Sequence, residues 1–156
     1  MGYINPLFND QPIKRDKPNE PAKKTKVSKA RATRIDKKHN IKFPVSAINQ
    51  MKLKSYCKQV GRIYRSQGKE PLSQTKFNTL LLRFGLKYED LIQWEGQYTD
   101  TKVYMHTNLL EHEYSDIGGP FGFAIEKNLS ERKVVYFIIH SVLNWLEGEG
   151  SLDKIL

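Results

Sequence analysis

The fold of this chain is decided by the stretch that opens with His39-Asn40-Ile41-Lys42-Phe43-Pro44 and continues to Leu86. In the opening segment, polar Asn40 and Lys42 alternate with apolar Ile41 and Phe43. A period of two is typical of a strand with one exposed and one buried face. Because Pro44 has no N–H to donate to a ladder, the strand is predicted to end there.

Two amphipathic helices are predicted to follow the strand, separated by Gly68-Lys69-Glu70-Pro71. Ser46 stands at the N-cap position of the first helix and Ser73 at that of the second. The second helix is expected to end near Gly85. Apolar residues recur at helical spacing in both helices. They are Leu53, Tyr56, Cys57, Val60, Ile63 and Tyr64 in the first and Phe77, Leu80, Leu81 and Phe84 in the second.

The same order of elements recurs in the second half of the chain. Lys102–His106 again alternates polar with apolar residues, and Asn108 is a candidate N-cap for a helix that starts at Leu109. Ser130 precedes a strongly apolar helix, as Ser73 does in the first half. The strand patterns lie 62 residues apart and the capping serines 57. Because a lone strand can neither satisfy its backbone nor fill a core, the two strands are predicted to pair antiparallel within one polypeptide.

The last helical pattern, Val134–Leu146, leaves almost no polar face. A helix that is apolar all round is buried on all sides, so this one is expected at the centre of the core. Contact with a second subunit is also open for it. At about 13 residues, the segment is too short to span a bilayer.

The charge of the chain is distributed unevenly. The total is +9 with a pI near 9.6. Residues 1–40 carry a net charge of +7 and residues 41–87 carry +9, whereas residues 88–156 carry −7. A basic surface of this strength indicates a polyanionic partner, which should meet the N-terminal half. The acidic half should face solvent or a different partner.

Several classes of function are disfavoured by the sequence. The single cysteine excludes an intramolecular disulfide and a cysteine zinc cluster. The four histidines lack the spacing of metal ligands, and no phosphate-binding or nucleophile motif is present. No signal peptide pattern is visible. We therefore expect a non-enzymatic protein without cofactor or metal, located in the cytoplasm.

Strand, helix and helix, with a basic polar strand face, resembles the ribbon-helix-helix family of DNA-binding proteins, of the Arc and MetJ type. The resemblance is closest at Asn40-Ile41-Lys42-Phe43-Pro44. The doubled order is similar to the TraY-type relaxosome accessory proteins of conjugative plasmids, in which two units can share a chain.

The resemblance implies a mainly α fold with a two-stranded antiparallel β-ribbon, built from tandem ribbon-helix-helix units. The expected divisions are a disordered basic arm at 1–37, a first unit at 38–86, a connecting helix and turn at 87–100, a second unit at 101–147 and a flexible C-terminus at 148–156.

The resemblance also implies which residues contact double-stranded DNA. In the family, a two-stranded ribbon lies in the major groove and its outward side chains contact base edges. The matching outward positions are Lys38, Asn40 and Lys42 on the first strand and Lys102 and Tyr104 on the second, with Ile41, Phe43, Val103 and Met105 inward. The N-terminus of each unit's last helix is implied to bind a phosphate. Candidate phosphate contacts are Ser73, Gln74, Thr75 and Ser130, together with Lys23, Lys24, Lys26, Lys29, Arg31 and Arg34 of the arm.

Alternatives to sequence-specific DNA binding remain open. The chain could be a scaffold whose acidic half binds a protein partner while the basic arm holds nucleic acid without sequence preference. RNA is another possible target of the arm, and self-association is possible. On the first helix, an acid-free row of cations is either a solvated face or a secondary phosphate surface. The row consists of Lys54, Lys58, Arg62 and Arg65.

Overall fold

The structure, a computed structural model, describes residues 30–32 and 34–156. The chain divides into one unit of residues 1–32 and another of residues 33–156, and every element given below belongs to the second. Most of the predicted basic arm, residues 1–37, lies outside the described residues. The same holds for four of its candidate phosphate contacts, Lys23, Lys24, Lys26 and Lys29.

The described part of the chain is mainly helical and contains a two-stranded antiparallel sheet, which confirms the predicted fold class at that level. None of its helices is both long enough and apolar enough to cross a membrane. Within the described residues, the elements are β1 (Lys38–Pro44), α1 (Ala47–Ser66), α2 (Gln74–Lys87), β2 (Tyr104–Leu110), α3 (Glu111–Gly118), α4 (Phe123–Glu126), α5 (Glu131–Glu147) and α6 (Leu152–Ile155), with a 3₁₀ turn at Glu89–Leu91.

The two strands pair as predicted, but the second lies further along the chain than the sequence indicated. β1 pairs antiparallel with β2, and Ile41 stands opposite Thr107. The predicted strand at Lys102–His106 is therefore displaced. Lys102 has a φ of 62°, and its backbone N–H donates to Asp100 Oδ1 at 3.0 Å. This local turn keeps Lys102 out of the extended conformation.

The predicted helix start at Leu109 is also wrong. Asn108 is a strand residue opposite Asn40 rather than a helix cap. The strand continues because Leu109 supplies another fully buried side chain on the inner face. The helix begins at Glu111 instead, where the carboxylate of Glu113 accepts a hydrogen bond of 2.9 Å from the N–H of Leu110.

The inner face of the ribbon packs against α2 and α5. Val103, which was predicted to point inward, is 46% exposed because it precedes β2. α5 passes beneath the ribbon as the predicted central helix, and most of its side chains from Val134 to Leu146 are buried. The buried inner-face residues are Ile41, Phe43, Met105, Thr107 and Leu109.

The outer edge of β2 is covered by polar side chains of α2. Asn78 Nδ2 donates to the carbonyl of His106 at 3.2 Å, and the N–H of Asn108 donates to Thr79 Oγ1 at 2.9 Å. Both α2 side chains are buried. An unpaired strand edge is open to pairing with another chain, and these two hydrogen bonds remove that opportunity.

Helix ends follow the predicted capping residues. Ser46, Ser73 and Ser130 each accept a hydrogen bond from the backbone N–H three residues later. α2 ends at Lys87, two residues beyond the predicted stop near Gly85, so Gly85 is a helix residue and not the residue that ends the helix. Gly85 lies where α2 meets α5, so the absence of a side chain there permits close approach of the two helices.

Two connecting segments differ from prediction. Residues 87–100 were expected to contain a helix, but one 3₁₀ turn is formed, and the chain is then fixed by the Gln93 N–H donating to Ser141 Oγ at 2.9 Å. Residues 148–156 were expected to be flexible. Instead, α6 packs on the domain with Ile155 buried and Leu152 against the core, because both side chains are apolar.

Candidate nucleic-acid interface

The outward side of the ribbon is a polar surface without a carboxylate. Across the strands, Asn40 Nδ2 donates to Asn108 Oδ1 at 2.9 Å, and His106 Nδ1 lies 3.0 Å from Asn40 Oδ1. With Nδ1 protonated, His106 donates to that oxygen. These bonds hold the central side chains in a fixed arrangement. We call the surface the ribbon face; it consists of Lys38, Asn40, Lys42, Tyr104, His106 and Asn108.

Three of the five predicted base contacts lie on β1 and are exposed, namely Lys38, Asn40 and Lys42. Tyr104 is outward on β2 but half-buried, and its hydroxyl donates to Asp100 at 2.9 Å. Lys102 lies outside the ribbon, and its Nζ pairs with Asp100 at 3.5 Å. The structure therefore brings four of the five together.

His106 and Asn108 were not predicted on this face. The signal was present, since Met105, Thr107 and Leu109 alternate with them at a period of two. Thr107 concealed it, because a threonine at an inward position breaks the apolar pattern. Inside the protein its hydroxyl is satisfied by donating to the Ile41 carbonyl at 3.0 Å.

Three carboxylates close to β2 are already paired. Asp100 accepts hydrogen bonds from the Lys102 backbone and the Tyr104 hydroxyl, and these hold the pKa of its carboxyl below the ordinary value. Glu111 on α3 is hydrogen-bonded to His39. Glu113 receives two bonds from the Arg83 guanidinium, at 2.6 and 3.2 Å. These three therefore present little unpaired negative charge to an approaching anion, and the exposed Asp36, two residues before β1, is the carboxylate beside the ribbon without an ion pair to a described residue.

The N-terminus of α2 lies beside one end of the ribbon. A groove of about 350 Å³ between them is lined by Lys38 and Asn108 on the ribbon side and by Ser73, Thr75 and Lys76 on the helix side. The side chain of Gln74 is turned away, since its Nε2 donates to the Leu53 carbonyl and to Asn78 Oδ1. The side chain of Gln74 is therefore already hydrogen-bonded, and its predicted phosphate contact would have to come from the backbone N–H.

The N-terminus of α5 lies at the other end of the ribbon. Ser130 caps the helix, and the Arg132 guanidinium lies 4.9 Å from the ring centre of Tyr104. Glu131 accepts a hydrogen bond from the Tyr114 hydroxyl, and this bond raises the pKa of Tyr114 to about 12. Glu131 is thus hydrogen-bonded to α3, while Arg132 lies against Tyr104 of the ribbon.

The contact between Glu111 and His39 predicts a loss of stability in acid. The hydrogen bond from His39 lowers the pKa of Glu111 from an ordinary 4.5. A depressed carboxyl pKa contributes stability above the unfolded value, and that stability disappears as the pH falls through the folded value. We expect Glu111→Gln to be less stable than the wild type at pH 6 in urea unfolding, and the difference to shrink toward pH 3. Glu95→Gln, at an exposed residue without an ion pair to any described residue, is the control and should follow the wild type.

Arg31 and Arg34, the two predicted arm contacts within the described residues, are both exposed and lie outside regular structure.

No family model matches the chain, and neither a curated protein nor a solved structure gives a significant match.

Proposed function

We propose that this protein binds double-stranded DNA sequence-specifically by inserting the ribbon face into the major groove. The observation that carries the proposal is the composition of that face. The face contains two lysines, two asparagines and no carboxylate, Pro44 and Leu110 are the remaining residues on that side of the strands, and the opposite side is largely buried. An exposed strand pair without an acid is suited to a polyanion.

The dimensions of the ribbon fit this role. Paired strands lie about 5 Å apart, and the major groove is about 12 Å wide, so two strands with their outward side chains can enter it. Asparagine can form two hydrogen bonds with adenine, and lysine suits O6 and N7 of guanine. The ribbon face presents both residue types on β1 and a further asparagine, Asn108, on β2.

The order of elements supports a tandem ribbon-helix-helix arrangement. β1, α1 and α2 are followed by β2, α3 and α5, with the short α4 inserted between the last two. Ser73 and Ser130 cap the last long helix of each half, at opposite ends of the ribbon. Free N–H groups at a helix start favour an anion, so both are suited to backbone phosphates on either side of the groove. By resemblance, the biological role is that of a plasmid-transfer accessory factor or a transcriptional regulator.

Selection of bound fragments from random duplex DNA tests the proposal. We expect a defined site to be enriched, and binding to that site to exceed binding to random duplex in competition. Enrichment of no site, or a preference for folded RNA over duplex DNA, would contradict sequence-specific readout of the duplex.

Asn40→Ala tests the assignment of the ribbon face. We expect it to relax specificity at one base position and to cost about 1 to 3 kcal/mol of binding free energy on the selected site. On random duplex the affinity should change little. Asn144→Ala is the matched control, because Asn144 is exposed on α5 and bonded to His140. Equal loss by Asn40→Ala on selected and random DNA would refute direct base contact.

A second candidate function, a scaffold that recruits a protein partner, is favoured by a separate surface. Phe121 is 98% exposed and Ile125 is 64% exposed. Beside them lies a groove of about 170 Å³ lined by Glu89, Asp116 and Glu126. Apolar side chains among carboxylates suit a basic, partly apolar peptide. If this is the principal function, competition will show no preferred DNA site, and Phe121→Ser will leave nucleic-acid binding intact.

A further inference from the structure

Helix α1 carries a row of cations that is not part of the ribbon face. Lys54, Lys58, Arg62 and Arg65 are all exposed, and none forms an ion pair with a described residue. At 1.5 Å per residue, the row extends along the helix for about 17 Å. Lys52, on the same helix, does pair with Glu147 of α5. The row is therefore the part of α1 whose positive charge is not compensated within the described fold.

The composition of α1 is unfavourable for a helix that is only solvated. It carries five Lys and Arg and no acid in 20 residues, with no acid in its first turn. Like charges four residues apart repel each other, and acidic residues normally stabilise the first turn of a helix. Both costs fall when a polyanion lies along the helix.

A groove places part of the row beside the N-terminus of α2. It has a volume of about 340 Å³, and Lys58, Arg62 and Arg65 line it with Pro71 and Leu72 from the α1–α2 connection. Leu72 also lines the groove that contains Lys38 and Ser73. The cations of α1 are therefore continuous with the surface that joins the ribbon face to the start of α2.

The corresponding helix in the second half has the opposite charge. α3 follows β2 as α1 follows β1, but it has eight residues, with Glu111, Glu113 and Asp116 and no lysine or arginine. α3 therefore has no row of cations comparable to the one on α1. α3 therefore supplies no cations toward the start of α5, whereas α1 supplies three beside the start of α2.

We propose that duplex DNA is bound asymmetrically, with the basic row of α1 contacting backbone phosphates beyond the ribbon on the side of α2 and with no equivalent contact on the side of α5. The proposal rests on the proposed function, since it assumes that the ribbon face lies on DNA. It assigns the row a sequence-independent role: the row adds affinity and fixes the orientation of the chain on its site.

The test compares the full chain with the double variant Arg62→Gln, Arg65→Gln on a duplex that contains the selected site and extends beyond it on both sides. Removing two phosphate contacts should lower the magnitude of the slope of log K against log salt by about 1.8. Between about 50 and about 200 mM salt, the variant should then lose roughly tenfold less affinity than the wild type does. Selected and random duplexes should be affected alike.

The double variant Lys87→Gln, Lys154→Gln is the matched control. It removes the same charge from exposed positions at the C-terminal end of α2 and in α6, and its salt slope should equal that of the wild type. Hydroxyl-radical footprinting supplies a second readout. Protection by the wild type should extend further on one side of the site, and the Arg62, Arg65 variant should lose that flank alone.

The outcomes separate this inference from the proposed function. Suppose that the wild type binds the duplex, and that the Arg62, Arg65 variant has the same salt slope and protects the same flanking DNA as the wild type. The asymmetric contact is then refuted, while recognition by the ribbon stands. A loss of protection on both sides of the site also refutes it. If the wild type binds no duplex, the inference and the proposed function fall together.

Discussion

Replacing Gly85 with alanine is expected to lower the free energy of unfolding by about 1 to 2 kcal/mol, although alanine is the better helix former. A Cβ at this position would overlap the Cγ2 methyl of Ile138 and lie 3.2 Å from Cγ2 of Val142. Both side chains are fully buried on α5, and both are β-branched, so their methyl groups rotate away less readily than those of unbranched side chains. Helices α2 and α5 would have to separate, so the cost of overpacking exceeds the gain of about 1 kcal/mol in helix propensity.

Gly61→Ala is the matched control within the same protein. Gly61 is also buried within a helix, but a Cβ there would lie 3.7 Å from Pro71 Cβ, which is ordinary van der Waals contact. We expect this variant to gain about 0.5 to 1 kcal/mol from the stiffer unfolded chain and the better helix former. Urea unfolding followed by circular dichroism measures both variants. Equal stability of the two would show that α2 and α5 do not approach closely at Gly85.

The elements that could be predicted from the sequence are those specified by local chemistry. The first strand is encoded by the alternation around Ile41 and is stopped at Pro44. The serines before α1, α2 and α5 cap their helices because a hydroxyl there bonds a free backbone N–H. The pairing of the strands followed from a general requirement, since a single strand leaves its backbone unsatisfied. Each of these inferences needs a few neighbouring residues.

The elements that could not be predicted depend on distant contacts. A glycine near a helix end indicates a stop, but Gly85 is set by two α5 side chains some fifty residues later in the chain. The end of the chain was expected to be free, yet Ile155 finds an apolar surface that local sequence does not reveal. In both cases tertiary packing overrides the local signal.

The outward positions of the ribbon were predicted correctly on the first strand and only partly on the second, and their contact with DNA stays a prediction. Alternation placed Lys38, Asn40 and Lys42 outward without ambiguity. On the second strand, the turn at Lys102 and the buried Thr107 shifted the apparent register, so His106 and Asn108 were missed. Thr107 is a polar residue type, but it occupies a core position because its hydroxyl is hydrogen-bonded to a strand carbonyl.

Removing the hydrogen bonds that α2 makes to the edge of β2 is expected to destabilise the protein by about 2 to 6 kcal/mol. The variant is Asn78→Ala with Thr79→Val, which leaves the carbonyl of His106 and the N–H of Asn108 without their present partners. A buried backbone group that loses its partner costs about 1 to 3 kcal/mol. The loss should exceed what deletion of exposed hydrogen bonds produces, because water cannot readily replace the lost partners beside buried side chains.

The control is Asn144→Ala with Thr99→Val, the same chemical changes at exposed positions, for which we expect a change within about 0.5 kcal/mol. Guanidinium unfolding gives the stabilities, and sedimentation reports the association state. An exposed strand edge pairs with other chains, so the α2 variant should also self-associate more than the wild type. A variant that associates no more than the wild type and is as stable as the control would mean that the edge of β2 does not depend on Asn78 and Thr79. Because His106 and Asn108 belong to the ribbon face, loss of these bonds should also weaken binding to the selected DNA site by releasing the strand that presents them.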